Sequence, residues 1–528
     1  MLKSYFTMAI RGLIKNKVFS LINILGLSVG LTTFILIMLY VRFEFSYDDF
    51  HKNADNIYRV ATKVTLQNEV INHESDTYDG IIKALRTDFP EVKAMTVISD
   101  FSSEATFIRY DDSGRNLKPI ETFSGCYADA GFFEVFSFPL TKGNVNTVLD
   151  EPYSAVISES LATSYFMGDA VGKVLEFKND DKPSKRLMIT GVVKDVPENS
   201  HFKFDIVVNI PDEEVGFWQW GGHTYMLLSS DAIPKEVEYK LDLLAQASNG
   251  LKINKDDYGQ VSTFKLQPLR DIHLFSQLDY EFEPGGQGTL VYSILSLAVI
   301  ILIIAWVNYI NLSTAISTQR LREIGIRKVV GASRFALMFQ VLAESSLFNF
   351  LSLVIALALA WITMPLFASL LGGPVNFIPL MDSNTWIAIA CFLILGTLFS
   401  GGYPAFVISS IYPVGVLKGK SGSQAPVFRK GLVIFQFTSA IVLMIISIVA
   451  YRQLSFMQSR ELGINIDQVL VIKALNFDQE TWSDEAGGYV VDSVYHERAA
   501  LFKNELRKHS NIVNASAVAF VPGEVPVW

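Results

Sequence analysis

The sequence predicts a membrane protein: an α-helical transmembrane bundle with a large α+β extracytoplasmic domain. Three observations lead there. Half of the 528 residues are hydrophobic, only 18% are charged, and mean hydropathy is +0.30, a balance typical of membrane proteins. Five apolar runs carry no charge, and each is long enough to cross a bilayer, which takes about 20 residues. Between the first two runs, residues 42–289 are a different material, with 24 Lys+Arg against 40 Asp+Glu.

The cytoplasmic amino-terminal segment, residues 1–17, carries Lys3, Arg11, Lys15 and Lys17 and no acid. Span 1 follows as Val18 to Val41, too long for the apolar core of a secretory signal, which runs about 7–15 residues. Within it Gly26 and Gly30 form a small-xxx-small face, the pattern that lets two membrane helices approach closely. Residues 42–289 then read as short helices mixed with strands. Tyr78–Phe89 is a helix stopped by Pro90, and Lys93–Ile98 a strand. Ser158–Met167 is a helix capped by Ser158, and Val174–Phe177 and Leu187–Val193 are strands. Pro234–Leu244 is a helix and Val261–Gln267 a strand. The mixture indicates α+β. The cluster Phe132, Phe133, Phe136 and Phe138 reads as core.

Residues 290–408 hold spans 2–4: Leu290 to Leu312, Ser345 to Leu371, and Trp386 to Ile408, the last with a kink or early end expected at Gly401–Pro404. Spans 2 and 3 are joined by QRLREIGIRKVVGASRFALMFQVLAE, Gln319 to Glu344. At 3.6 residues per turn Leu321, Ile324 and Lys328 share one face, with Val329 beside them. Arg320, Glu323 and Arg327 share another, and Glu323 and Arg327 are spaced for an i,i+4 pair. Gly331 ends this helix, 321–330, and Ser333 caps the next. It is a short basic amphipathic helix, read either as a topology signal or as a docking helix for a soluble partner. Glu344, an acid at the edge of a span, is either an interfacial glutamate paired with a cytoplasmic arginine or, by default for an acid at that depth, a functional candidate.

A linker, residues 409–430, carries Lys418, Lys420, Arg429 and Lys430. Span 5 is Gly431 to Tyr451, and residues 452–528 start a second extracytoplasmic domain, with a strand at Gln468–Ile472 and a helix at Glu497–Lys508. The three basic segments fall on one side if every run spans once, and the connection Gly372 to Asn384 has no basic residue. The positive-inside rule then puts the amino terminus in the cytoplasm. A basic segment, a lone span, an arginine (Arg42, Arg452) and an outward domain occur twice. The second copy stops at Trp528 before further spans, so the expectation is either a longer natural chain or only part of a duplicated architecture.

Residue spacing gives no sign of catalysis, whether GxSxG, HExxH or a spaced Ser/His/Asp set. The seven histidines make no metal-ligand spacing. Cys126 and Cys391 form no disulfide framework. Gly415 to Ser421, GVLKGKS, resembles a phosphate loop, but it has three residues between its glycines where that loop needs four. These readings argue against a membrane-anchored enzyme.

The chain resembles the FtsX/MacB-like permease family of ABC transporters in its duplicated form. NYINLSTA, RLREIGIRKVVGASR and FQVLAE, in order between Asn308 and Glu344, carry the likeness best. NKVFSLINILGLSVG, SGCYADAGFFEVFSFPL, ISESLATSYF, ITGVVKDVPENSHFKFD and FRKGLVIFQFTSA extend it over most of the chain. By this resemblance residues 42–289 are similar to a MacB-type periplasmic core, and 290–408 to an FtsX-like domain. Its coupling helix would use Arg322, Glu323, Ile324, Gly325, Arg327, Lys328 and Gly331. The resemblance implies a non-catalytic membrane subunit with no cofactor of its own, since a cytoplasmic ABC ATPase dimer on a separate chain would bind ATP. It implies a multi-pass protein of the bacterial cytoplasmic (inner) membrane, with the lipid bilayer around it and no nucleic acid. It leaves room for a periplasmic adaptor or outer-membrane component. The implied function is export or extrusion of peptides, lipoproteins or toxic small molecules, driven by movement of the outward domain. The alternative is a mechanotransmitting sensor or regulator of a cell-envelope partner, without transport.

Overall fold

A computed structural model describes residues 2–66, 69–77, 79–100, 106–110, 116–120, 124–179, 182–211, 222–247, 260–319, 321–371, 383–410, 426–459, 469–470, 480–483, 488–491 and 493–516. The chain divides into two compact units: Met1–Phe45 with Gln287–Gly463, and Ser46–Gly286 with Ile464–Trp528.

The first unit is helical. A helix over Leu2–Lys15 precedes five helices long and apolar enough to cross a membrane. They are span one, Lys17–Glu44; span two, Gly288–Gln319; span three, Arg334–Leu371; span four, Ser383–Ser410; and span five, Pro426–Ser459. All run past the apolar cores read from sequence, because a helix does not stop where its hydrophobicity does. Span one packs between spans two and three. A Cβ placed on Gly30 would lie 2.7 Å from the Ala305 Cβ, so only glycine permits this approach to span two. On the other side the Ser28 hydroxyl donates to Ile24 O at 2.6 Å and reaches Ser352 O at 3.2 Å. The Ser352 hydroxyl donates back to Ile24 O at 3.3 Å. Small residues and backbone-directed hydroxyls are what bring helices together where water supplies no drive.

The break expected at Gly401–Pro404 does not end span four, which continues to Ser410 with Pro404 inside it. Membrane helices tolerate proline when neighbouring groups re-satisfy the freed backbone. Gly401 serves packing: a Cβ there would meet Ser345 Oγ at 2.6 Å. Ser345 also shares a hydrogen bond with Tyr309 Oη at 2.9 Å. Asn349 Nδ2 donates to Ser400 Oγ at 2.9 Å, so spans two, three and four share a polar seam. Span five is mostly exposed and reaches span two through Asn311 Nδ2 and Gln436 Oε1 at 3.1 Å.

The second unit is built on one mixed sheet. Its strands are β1 Ile57–Leu66, β2 Glu69–Glu74, β3 Val92–Asp100, β4 Thr106–Tyr110, β5 Asn116–Ile120, β6 Gly125–Ala128, β7 Leu140–Lys142, β8 Ser154–Ser158, β9 Val174–Asn179, β10 Lys182–Val193, β11 Ile206–Asn209, β12 His223–Leu228 and β13 Gln260–Pro268. The spatial order is β13-β1-β12-β3-β6-β11-β8-β10-β9-β4-β5, with β2 beside β1 and β7 beside β10. β8 and β10 are parallel, as are β6 and β11; the other pairs are antiparallel. The helices Asp79–Thr87 and Pro234–Ala247 cover one face with Ile81, Ile82, Leu85, Val237 and Leu241, against Val60, Met226 and Phe264. The aromatic cluster fills another core: Phe132, Phe133, Phe136 and Phe138 are buried with Phe202, Phe204 and Tyr225. Helix Glu159–Phe166 begins at Ser158, whose side chain accepts from Leu161 N, and ends at Met167 in the left-handed region.

The strand read at Gln468–Ile472 falls outside the described residues except Val469 and Leu470, which lie in no strand. The helix read from Glu497 starts earlier, at Ser493, and runs to Leu506, behind a hairpin of Glu480–Ser483 and Gly488–Val491.

Candidate functional site

The helix joining spans two and three covers Leu321–Val329. Its end is set by Gly331 at φ +100. Ala332 N–H donates to Arg327 O at 2.9 Å, and Gly331 N–H to Lys328 O at 3.1 Å. That pair of bonds is the Schellman closure, which satisfies carbonyls the helix end leaves free. The next helix starts at once: Ala336 N–H donates to Ser333 Oγ at 3.2 Å. Two helices thus meet at a turn with almost no slack.

One face of the short helix is sealed. Ile324 is buried against Leu337, with Val341 packed alongside, and Gly325 is buried beside it. Arg327 Nη1 donates to Gln340 Oε1 at 2.9 Å and lies 3.8 Å from the sulfur of Met8 on the amino-terminal helix. Lys328 Nζ donates to Ser409 O at 2.7 Å. Arg334 Nε donates to Ser409 Oγ at 3.3 Å, and its guanidinium stacks over Phe406, 5.4 Å from the ring centre. Lys328 and Arg334 meet the carbonyl end of span four, where the helix dipole favours positive charge. Partial burial, then Arg334, pull the Lys328 pKa below its ordinary value.

The opposite face is apolar and open. Val330 is 82% exposed, Val329 66% and Ile326 57%, with Phe335 and Phe339 also exposed on the following turns. The face expected to join Val329 to Ile324 is therefore split. Ile324 turns inward and Val329 outward, and the cations brace the bundle. Arg320 lies outside the described residues, as do the side chains of Arg322 and Glu323 and with them the expected Glu323–Arg327 pair. Glu344 is half-buried on span three, next to fully buried Ser345. Gly26 approaches Asn308 Nδ2 at 3.4 Å from a built Cβ, a looser fit than Gly30. Among the described residues no group of His, Cys, Asp or Glu is arranged to hold a metal. Cys126 is buried and Cys391 exposed, and neither is in a disulfide.

Two family models match the chain: a MacB-like periplasmic core domain over residues 20–243 and an FtsX-like permease C-terminal over 295–413. This chain belongs to the FtsX/MacB-like permease family. The permease is 32% identical over 300 residues to the macrolide export ATP-binding/permease protein MacB of Shewanella sp. strain ANA-3, covering 54% of this chain and 42% of that one. It is 21% identical over 424 residues to the protein of that name from Neisseria gonorrhoeae, covering 78% and 60%. The chain thus spans about half the length of these curated relatives. The crystal structure of the periplasmic region of MacB from Actinobacillus actinomycetemcomitans matches at 13% identity and a TM-score of 0.29, over 42% of the permease and 91% of that region. The core-domain match takes in most of span one and strands β1 to β12 of the outward sheet, and ends before β13. The second match takes in spans two to four with the short helix between them.

Sequence reading missed a second polar constellation, in the outward unit. Arg59, fully buried on β1, faces Glu281 with both carboxylate oxygens 2.6 Å from its Nη atoms. Its five contributors, Asp48, Arg59, His201, Tyr225 and Glu281, lie far apart in the chain. The one local signal was an arginine inside the apolar pattern IYRVATKV.

Proposed function

We propose that this permease subunit couples ATP hydrolysis by a separate cytoplasmic ATPase to movement of its extracytoplasmic domain, in the bacterial inner membrane and with its amino terminus inside. The observation that carries the reading is the short helix Leu321–Val329. It joins two spans through a closed turn, is braced on one face to the end of span four, and leaves Ile326, Val329 and Val330 uncovered. A helix held on one side transmits displacement to the spans it joins. An exposed apolar crest gives a partner something to bury. The relatives are named for macrolide export, so extrusion of small toxic molecules is the leading cargo class, with peptides and lipoproteins next.

Co-purification with the ATPase tests the docking. Val330→Asp and Ile326→Asp should each weaken association about tenfold, as a charge placed in an apolar contact does. Wild-type association in both variants would remove this crest as the docking site. Substrate accumulation in inverted vesicles then separates transport from ATP-dependent activation of an envelope partner. For orientation, in a chain whose native cysteines are replaced, outside label should reach Glu151→Cys and not Ser333→Cys. The reverse pattern would invert the topology.

A further inference from the structure

The outward unit begins at Ser46, just after span one ends, and its main body closes at Gly286, just before span two begins. Both connections are pinned inside the unit. On the entry side, Asp48 is fully buried at φ 60, a conformation uncommon for a residue with a side chain. Its N–H donates to Asn199 O at 2.9 Å, and Asn199 Nδ2 donates to Ser46 O at 2.7 Å. His201 Nδ1 lies 2.9 Å from Asp48 Oδ1, and its Nε2 shares a 2.8 Å hydrogen bond with Tyr225 Oη.

On the exit side, Glu281 receives the Arg59 guanidinium in a two-pronged pair, the strong geometry for these groups. Ser276 Oγ donates to the same carboxylate, and Ser75 Oγ reaches Asp279 O and Tyr280 O at 2.9 and 2.8 Å. The two sides meet on the sheet. Arg59 of β1 stands directly across from Tyr225 of β12 and Gln267 of β13, so the three share one face. Arg59 Nη2 donates to Gln267 Oε1 at 2.8 Å, and Tyr225 is the cross-strand neighbour of Arg59 on the other side.

We propose that Asp48, His201, Tyr225, Arg59 and Glu281 form a buried tie that makes the entry and exit connections of the outward unit move together. Resting on the coupling reading above, this makes them positioning residues for force transmission: whatever spans one and two impose on their connections is delivered to the sheet as one displacement. The tie runs across β1 and β12, neighbours near one end of the sheet. Asp48 Oδ2, His201 Nδ1 and Arg59 Nε have no hydrogen-bond partner among the described residues, so the two-pronged Arg59–Glu281 pair and the His201–Tyr225 hydrogen bond are what hold the arrangement.

The test uses the full chain in nanodiscs, its cysteines replaced by alanine, with spin labels at exposed Lys52 and half-buried Glu283. The distance distribution between the labels is measured without the ATPase, and turnover and ATP-dependent output with it. Tyr225→Phe keeps the ring and removes one oxygen, so it cuts the string without emptying the core. Glu281→Gln breaks the charged pair. Both should broaden the distribution beyond the wild-type width. Tyr225→Phe should lower the melting temperature by only a few degrees and keep ATP turnover within about twofold, while coupled output falls about tenfold. Wild-type width and full output in Tyr225→Phe would overturn the tie, whatever Glu281→Gln does to folding. If wild type itself recruits no ATPase, the coupling reading falls. The label widths, which need no ATPase, still decide whether the two connections are bound to each other.

Discussion

Inside the span bundle, Ser28, Thr32, Ser352 and Ser400 turn their hydroxyls onto backbone carbonyls. Inside the outward unit, Arg59 and Glu281 meet as full charges, and Asp48, His51, His201 and His223 are buried around rings of phenylalanine. The contrast follows from the solvent. In lipid, apolar burial brings helices no closer, so contact depends on small residues and short polar reach. In water, burying a dozen aromatic and aliphatic side chains is favourable enough to carry a desolvated ion pair along. The bundle therefore fails when something is added, and the outward unit when something is removed.

The largest expected effect is on the outward unit. Glu281→Ala leaves Arg59 charged and buried, which costs about 3–5 kcal/mol. Proteolysis of the outward domain in the intact protein should report it, and wild-type resistance would show that the site takes up water freely. Acid comes next. Ser137 N–H donates to His51 Nδ1 at 3.1 Å, fixing the neutral ring. Burial chiefly, against the pull of Asp48 and with the push of His201, lowers the His51 pKa from 6.5 to about 4. The folded state then binds fewer protons than the unfolded one, so stability is full above pH 6.5 and falls as pH drops towards about 4. The slope approaches about 1.4 kcal/mol per pH unit for one such group. His51→Gln should flatten that slope in protease-resistance curves taken from pH 7 to pH 4.5; an unchanged slope would move the acid response to His223, whose pKa burial also lowers.

The bundle should show the opposite sensitivity. Gly30→Ala adds one methyl where 2.7 Å is left to Ala305, an overpacking cost of about 1–3 kcal/mol. Ala305→Gly in the same chain should restore thermal stability, and failure to do so would place the strain elsewhere. Smallest is Gly331→Ala. A built Cβ meets nothing within 4 Å there, so only the backbone at φ +100 is strained, at about 1–2 kcal/mol. Protein melting should barely move while ATP-coupled output drops if the turn transmits force; equal losses in both would reduce Gly331 to a fold residue.

What was legible in the sequence divides along the same line. Spans, the Gly30 approach, the Ser158 cap, the Gly331 stop and the Ser333 cap are local, and each was visible within a few residues. The facing of Val329 was misjudged because helical periodicity ranks hydrophobic residues without knowing which neighbours exist. Ile324 found Leu337, and among the described residues Val329 stays exposed. Gly401–Pro404 reads as a kink or early end because the sequence does not show that span three lies against Gly401; the helix runs on to Ser410. The buried network was invisible for a related reason: Asp48 and Glu281 become neighbours in one string only after the strands between them have paired.

The sheet's pairing order also constrains how this protein is made. β1 emerges right after span one; β2 is a local partner for its second half, but its other partners are β12 and β13, the register running from Ile57↔Leu227 to Leu66↔Gln260. About 160 residues must leave the ribosome before β1 can pair with β12, at roughly 5–20 residues per second. During those seconds the edge of β1 that β13 will cover stays open, while β2, a few residues on, can pair with Thr62 to Leu66 on the other edge. The β8–β10 half, whose partners lie within a few dozen residues, has a much shorter wait. Such contacts of high sequence separation fold slowly. The vulnerable moment in biogenesis is therefore the interval between insertion of span one and synthesis of β12, when a chaperone or a protease meets the nascent chain.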